Sequence, residues 1–120
     1  MKNNTAKIRR VILVVIVLMS VSHCIAQQKK SDTVSIKTSA VCDMCKERIE
    51  GAMAFEKGVK SASLDLETKV VEIIYNSAKT SPVLLRNAIS KLGYDADSIP
   101  ANQKAYANLP ACCKKNAPKH

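Results

Sequence analysis

The chain has 120 residues, five cysteines and a formal net charge of +9. Its length suits one compact domain with a small core and excludes large multidomain assemblies. The basic charge sits at the two ends: nine basic residues balance nine acidic ones between positions 33 and 99, so the total gives no reason to expect nucleic-acid binding by the domain.

Residues 1–26 have the pattern of a signal peptide. Lys2, Lys7, Arg9 and Arg10 form a basic start without acids, and an unbroken apolar run covers 11–19. That run is shorter than the ~20 residues a spanning helix needs, and Cys24-Ile25-Ala26 offers a cut. The mature chain would begin near Gln27 and be exported to the periplasm or cell envelope. Lipoprotein processing at Cys24 is a minor alternative, because His23 stands where a small residue is normally wanted; an uncleaved anchor is another. Residues 27–32 are polar and read as a flexible leader.

Next, residues 33–38 alternate with Val34 and Ile36 on one face, which predicts a half-buried strand. From 44 to about 55, Cys45, Ile49, Ala52 and Met53 share one helical face, and Gly58 supplies a stop. Residues 59–66 and 70–75 alternate again around the polar Glu67-Thr68-Lys69, predicting a hairpin without an Asn-Gly turn signal. Ser81-Pro82 is a helix start, Leu85, Ala88, Ile89 and Leu92 form its apolar face, and Gly93 ends it. A weaker extended stretch covers 94–99. Residues 100–120 follow as a basic, cysteine-containing tail, read as solvated apart from a short helical turn at 103–109.

The predicted order is strand, helix, strand, strand, helix, strand. It specifies an α+β, ferredoxin-like βαββαβ sandwich over residues 33–99, with an antiparallel sheet covered on one face by two helices. RNA-recognition domains share that layout but read bases with aromatic residues on the sheet. Phe55 is the only phenylalanine here, so that surface is absent.

The chemistry concentrates at Cys42 and Cys45, where the first strand gives way to the first helix of the domain. Two thiols at that spacing bring their sulfurs together, and the helix start favours thiolate. Thiolates select soft or borderline cations such as Cu(I), Hg(II), Zn(II) and Cd(II). A redox dithiol and a structural disulfide are the rival readings, since export permits disulfides. Redox proteins of the thioredoxin type also place this motif at a strand-to-helix junction. In this chain no tryptophan precedes the motif, no Gly-Pro lies inside it, and a hairpin stands where a parallel crossover would be needed.

Cys112 and Cys113 are adjacent, which strains a mutual disulfide; they read as additional soft-metal ligands, interchain partners or bridges back to Cys42 and Cys45. His120 could complete such a site but reads as a terminal residue. Met44 reads as a packing or solvent-facing side chain, Asp43 as a helix-start acid, and Lys46 and Arg48 as solvated.

Taken together, Cys-x-x-Cys, Gly58-Val59, the paired strands through Leu64, Leu66, Val71 and Ile73, then Ala78-Lys79-Thr80-Ser81 and Leu92-Gly93-Tyr94, resemble the heavy-metal-associated domain family over residues 33–99. The likeness is closest to periplasmic mercury-binding proteins and copper metallochaperones. The resemblance implies that Cys42 and Cys45 are the metal ligands and that Tyr94 lies near them. Two departures stand out: Ala40 replaces a common Met, and Val41 a small hydroxyl residue. The combined expectation is an exported, non-enzymatic carrier of one soft ion, Cu(I) or Hg(II) ahead of Zn(II), passed on by thiolate exchange. Its recipient would be a membrane metal transporter, and the mature chain a soluble monomer. A thiol-disulfide exchange protein using the same cysteines is the alternative.

Overall fold

A computed structural model describes residues 2–19 and 30–118; the cut after Ala26, the first half of the leader and His120 lie outside the described residues. Helix α1 spans Lys2–Met19, and the apolar side chains Val11, Ile12, Leu13 and Val14 are exposed on it. Among the described residues, no helix is long and apolar enough to cross a membrane.

The domain follows as β1 (Ser31–Lys37), α2 (Asp43–Phe55), β2 (Val59–Asp65), β3 (Val70–Asn76) and α3 (Pro82–Lys91). The strands form one antiparallel sheet in the order β1-β3-β2. Central β3 alternates strictly, burying Val71, Ile73 and Tyr75 and exposing Glu72 and Ile74. Its register sets Val71 between Ile36 and Leu64. Ile49 and Met53 of α2 and Leu85 and Ile89 of α3 complete one fully buried cluster with these side chains. Each such aliphatic contributes about 1.5–3 kcal/mol through burial, so the two helices are held mainly by one apolar stripe apiece.

Local chemistry sets the boundaries. The Ser81 hydroxyl accepts the Leu84 N–H at 3.4 Å with Pro82 opening α3. In the hairpin, the Asp65 carboxylate accepts the N–H groups of Glu67 and Thr68 at 2.8 and 2.9 Å, while Lys69 takes φ 59°. An Asx turn thus does the work that an Asn-Gly pair does elsewhere. Gly58 has φ 84°, and a Cβ there would lie 2.9 Å from that of Lys79.

The ferredoxin-like class holds, but the expected last strand at 94–99 contracts to isolated bridges, Thr38 with Ala96 and Ala96 with Ile99. Side-chain acceptors displace its ladder. Asp97 turns to φ 52° and accepts from the Lys37 N–H at 2.8 Å, and Asp95 accepts from the Ala101 N–H at 2.8 Å.

Residues 101–117 differ from the solvated tail expected for them. Asn102 caps α4 (Gln103–Ala107) by accepting the Ala105 N–H at 3.0 Å, and a 3-10 turn follows at Ala111–Cys113. Leu109 and Cys113 are buried in the domain's core cluster. Lys115 reaches Asp95 at 2.7 Å, and Lys114 donates to the carbonyls of Tyr106 and Ala107. Of the four C-terminal lysines, Lys104, Lys114, Lys115 and Lys119, two thus hold the tail in place.

Candidate metal centre

The loop between β1 and α2 is fastened before it reaches the thiols. Thr38 donates from its backbone and hydroxyl to the Lys69 carbonyl at 2.8 and 3.0 Å, and its hydroxyl accepts the Ala40 N–H at 3.3 Å. Ser39 accepts the Asp95 N–H at 2.9 Å. Ala40 is completely buried, so the position where the family commonly carries Met is a filled core site. Cys42 then stands at the N-cap of α2 in extended conformation, and its carbonyl accepts the Lys46 N–H at 3.1 Å. Its side chain makes no capping bond, which leaves the sulfur to face its neighbours.

The two sulfurs of Cys42 and Cys45 lie 3.3 Å apart. Cys42 is half-buried and Cys45 is fully buried at the head of the apolar stripe. Burial opposes ionisation of Cys45. Hydrogen bonding from the Val41 backbone and contacts with the Cys113 and Cys42 sulfurs outweigh it and draw its pKa down. Burial raises the pKa of Cys42; the Cys45 backbone N–H works against that rise and the Cys45 sulfur with it. Cys42 is the more accessible, as the place of Cys45 on the apolar stripe of α2 predicts, while the opposite directions of the two pKa shifts are not set by spacing.

The tail brings the other two thiols to the same place. Cys113 Sγ lies 3.9 Å from Cys42 Sγ, and the sulfurs of Cys42, Cys112 and Cys113 all fall within 4.8 Å of one another. Burial, followed by the adjacent Cys45, pushes Cys113 up to about 12. Cys112 is half-buried, and its sulfur sits 3.7 Å from the Met44 thioether, a contact the sequence reading of Met44 did not anticipate.

Tyr94, following the positive-φ Gly93, lies against this group. Its hydroxyl is buried with no hydrogen-bond partner among the described residues. Burial foremost, then the Cys113 and Cys45 sulfurs, raises its pKa well above the usual phenol range, so it is held as a neutral O–H beside the sulfurs. An unpartnered buried donor of this kind fits a site whose sulfurs carry negative charge when an ion binds. The remaining candidates stay apart: Asp43 and Arg48 are exposed, and Lys46 pairs with Glu50 at 3.8 Å.

The cysteine group thus has the donor softness and spacing to hold a metal ion. The Cys42 to Cys113 separation of 3.9 Å is close to the roughly 3.8 Å between sulfurs of a tetrahedral site with bonds of about 2.3 Å.

Comparisons with known proteins point the same way. The family model described as "Heavy-metal-associated domain" matches residues 33–95. Copper-transporting ATPase 1 of Rattus norvegicus is 34% identical over 82 residues, covering 68% of this chain and 5% of the ATPase. The copper chaperone CopZ of Staphylococcus haemolyticus is 37% identical over 54 residues, 45% of this chain and 79% of the chaperone. Among solved structures, a CopZ metallochaperone superposes with a TM-score of 0.52 at 29% identity, covering 54% of this chain and 98% of that one. Oxidized MerP from Ralstonia metallidurans CH34 gives 0.54 at 25% identity, covering 56% and 94%. With the matched segment running from β1 through both thiols of the Cys-x-x-Cys pair to the bridge region, the chain belongs to the heavy-metal-associated domain family.

Proposed function

We propose that the protein is a non-enzymatic carrier that captures one soft metal ion between Cys42 and Cys45 and hands it on by thiolate exchange. The observation that carries this reading is the pair of sulfurs 3.3 Å apart at the start of α2, one buried and the other half-exposed. Cys42 meets the incoming ion, Cys45 completes a two-sulfur site, and a partner's thiolates displace them in turn. Low coordination keeps every step a simple ligand substitution, whereas a closed four-sulfur site holds its ion in place.

Cu(I) is the favoured cargo, supported by relatives named as copper chaperones and copper-transporting ATPases; Hg(II) and Zn(II) are competitors at the same sulfurs. A membrane metal transporter is the proposed recipient. The basic start and apolar run of residues 1–19 support export to the cell envelope, with the domain acting there as a soluble monomer.

Titration of the reduced protein with Cu(I), Hg(II) and Zn(II) tests the reading. Cys42→Ser and Cys45→Ser are expected to lose tight Cu(I) binding singly and together. Submicromolar binding retained by the double variant would refute it, and efficient reduction of insulin by a protein indifferent to all three ions would establish thiol-disulfide exchange instead.

A further inference from the structure

We propose that Cys112 and Cys113 are additional ligands to the same ion. The C-terminal turn acts as a built-in thiol cap that raises the coordination of a soft cation from two sulfurs to three or more. This inference rests on the Cys42 and Cys45 reading of the function and extends it to how the cargo is retained.

Three observations carry it. First, the sulfurs of Cys42, Cys112 and Cys113 lie within 4.8 Å of one another, with Cys42 also 3.3 Å from Cys45, so Cys42 is shared between the pair and the cap. Second, the cap is seated by contacts that involve no sulfur. Leu109 is buried in the core, Lys115 pairs with Asp95 at 2.7 Å, and the Lys115 N–H donates to the Tyr106 hydroxyl at 3.1 Å. The thiols are therefore presented to Cys42 by the fold. Third, the buried Tyr94 hydroxyl makes no well-formed hydrogen bond among the described residues and has Cys113 and Cys45 as neighbours, where a sulfur-rich anionic site would use it.

The chemistry is ligand substitution throughout. Each cap thiol loses its proton to solvent as its sulfur bonds the metal, and regains one when the ion leaves; the metal keeps its oxidation state. Adjacent cysteines resist bonding to each other, so in the reduced chain neither sulfur is taken up by its neighbour. The consequence is a two-speed carrier. With the cap lifted, Cys42 and Cys45 exchange quickly; with it seated, the ion is enclosed and cations that accept three or four sulfurs gain over those content with two. The Lys115 and Asp95 side chains are 48% and 33% exposed, and an ion pair that open to water is a weak latch, which suits a cap that must lift for a recipient.

The test uses the full chain, reduced and loaded with one equivalent of Cu(I). X-ray absorption at the copper edge counts sulfur ligands, and competition with a bathocuproine-type chelator measures retention. Wild type is expected to show at least three sulfurs. The C112S/C113S variant is expected to show two, still at one ion per chain, with copper retention at least tenfold weaker. Because Cys113 is buried, Cys112→Ser alone serves as a milder variant at the half-buried thiol, expected to weaken retention several-fold. An unchanged sulfur count and unchanged retention in both variants would overturn the cap while leaving the Cys42 and Cys45 site standing. Wild-type retention by C42S/C45S would overturn that reading and the cap with it.

Discussion

Two glycine-to-alanine substitutions should move stability in opposite directions. Gly93 sits at φ +100°, and a Cβ there would lie 2.9 Å from both the Ala105 carbonyl carbon and the Tyr106 nitrogen. These are backbone atoms of α4, which have no rotamer to escape into. Forcing an alanine into a left-handed conformation costs about 1–2 kcal/mol, and overpacking a close contact typically costs about 1–3 kcal/mol more. The sum of roughly 2–5 kcal/mol is a large part of the roughly 5–15 kcal/mol available to a small domain. At about 4–8 °C per kcal/mol, Gly93→Ala should lower Tm by about 10 °C or more. Gly51, by contrast, has nothing within 4 Å of its would-be Cβ and lies exposed within α2. Replacing it with alanine should recover about 0.8–1 kcal/mol of helix propensity and raise Tm by about 3–8 °C. Far-UV circular dichroism melts of the reduced, metal-free protein measure both. A Gly93→Ala protein melting within about 2 °C of wild type, or both variants shifting the same way, would refute the reasoning from close approach.

Other variants probe single polar contacts. Glu50 accepts the Leu64 N–H of edge strand β2 at 2.7 Å, so Glu50→Ala should cost about 1–3 kcal/mol in urea unfolding. Glu50→Gln, which keeps an acceptor, should cost less than half as much. Ser81→Ala removes the α3 cap and should cost about 1 kcal/mol by the same assay. The hydrogen bond from Arg86 at 2.6 Å leads the contacts that hold the Asp97 pKa below the ordinary carboxylate range. A folded-state pKa below the unfolded one means stability that is present above about pH 4 and is lost as pH falls through the folded value. Asp97→Asn should therefore flatten the fall of Tm on acidification; an unchanged slope would assign acid sensitivity elsewhere.

The alternating strands, the stripe of α2 and the Ser81-Pro82 start of α3 were legible in sequence because each is a local pattern whose buried face is set by period. Cys42 and Cys45 were legible for the same reason: their spacing and their junction are both local. The shortness of the last strand is not legible because period alone does not register that Asp95 and Asp97 spend their carboxylates on backbone donors at Ala101 and Lys37, which leaves one bridge to the end of β1, between Thr38 and Ala96. The hairpin was found without its turn type, since Asp65 at the end of β2 carries the signal that Gly would otherwise give.

The tail shows what local patterns leave out. Its lysines look like solvated charge, yet Lys115 is positioned by Asp95 and Cys113 by Cys42, partners that local pattern does not pair with them. The readable signals were small, namely Asn102 as a cap and Leu109 as a lone apolar residue ahead of Pro110-Ala111-Cys112-Cys113. Leu109 is what a solvated tail has no use for. Burying it draws the following turn onto the domain, and with only three residues between Leu109 and Cys113 the two sulfurs stay close to that anchor, where they lie beside Cys42. Exchange of Leu109 for a polar residue should accordingly free the cap while leaving β1 to α3 folded, separating metal capture by the domain from metal retention by the chain.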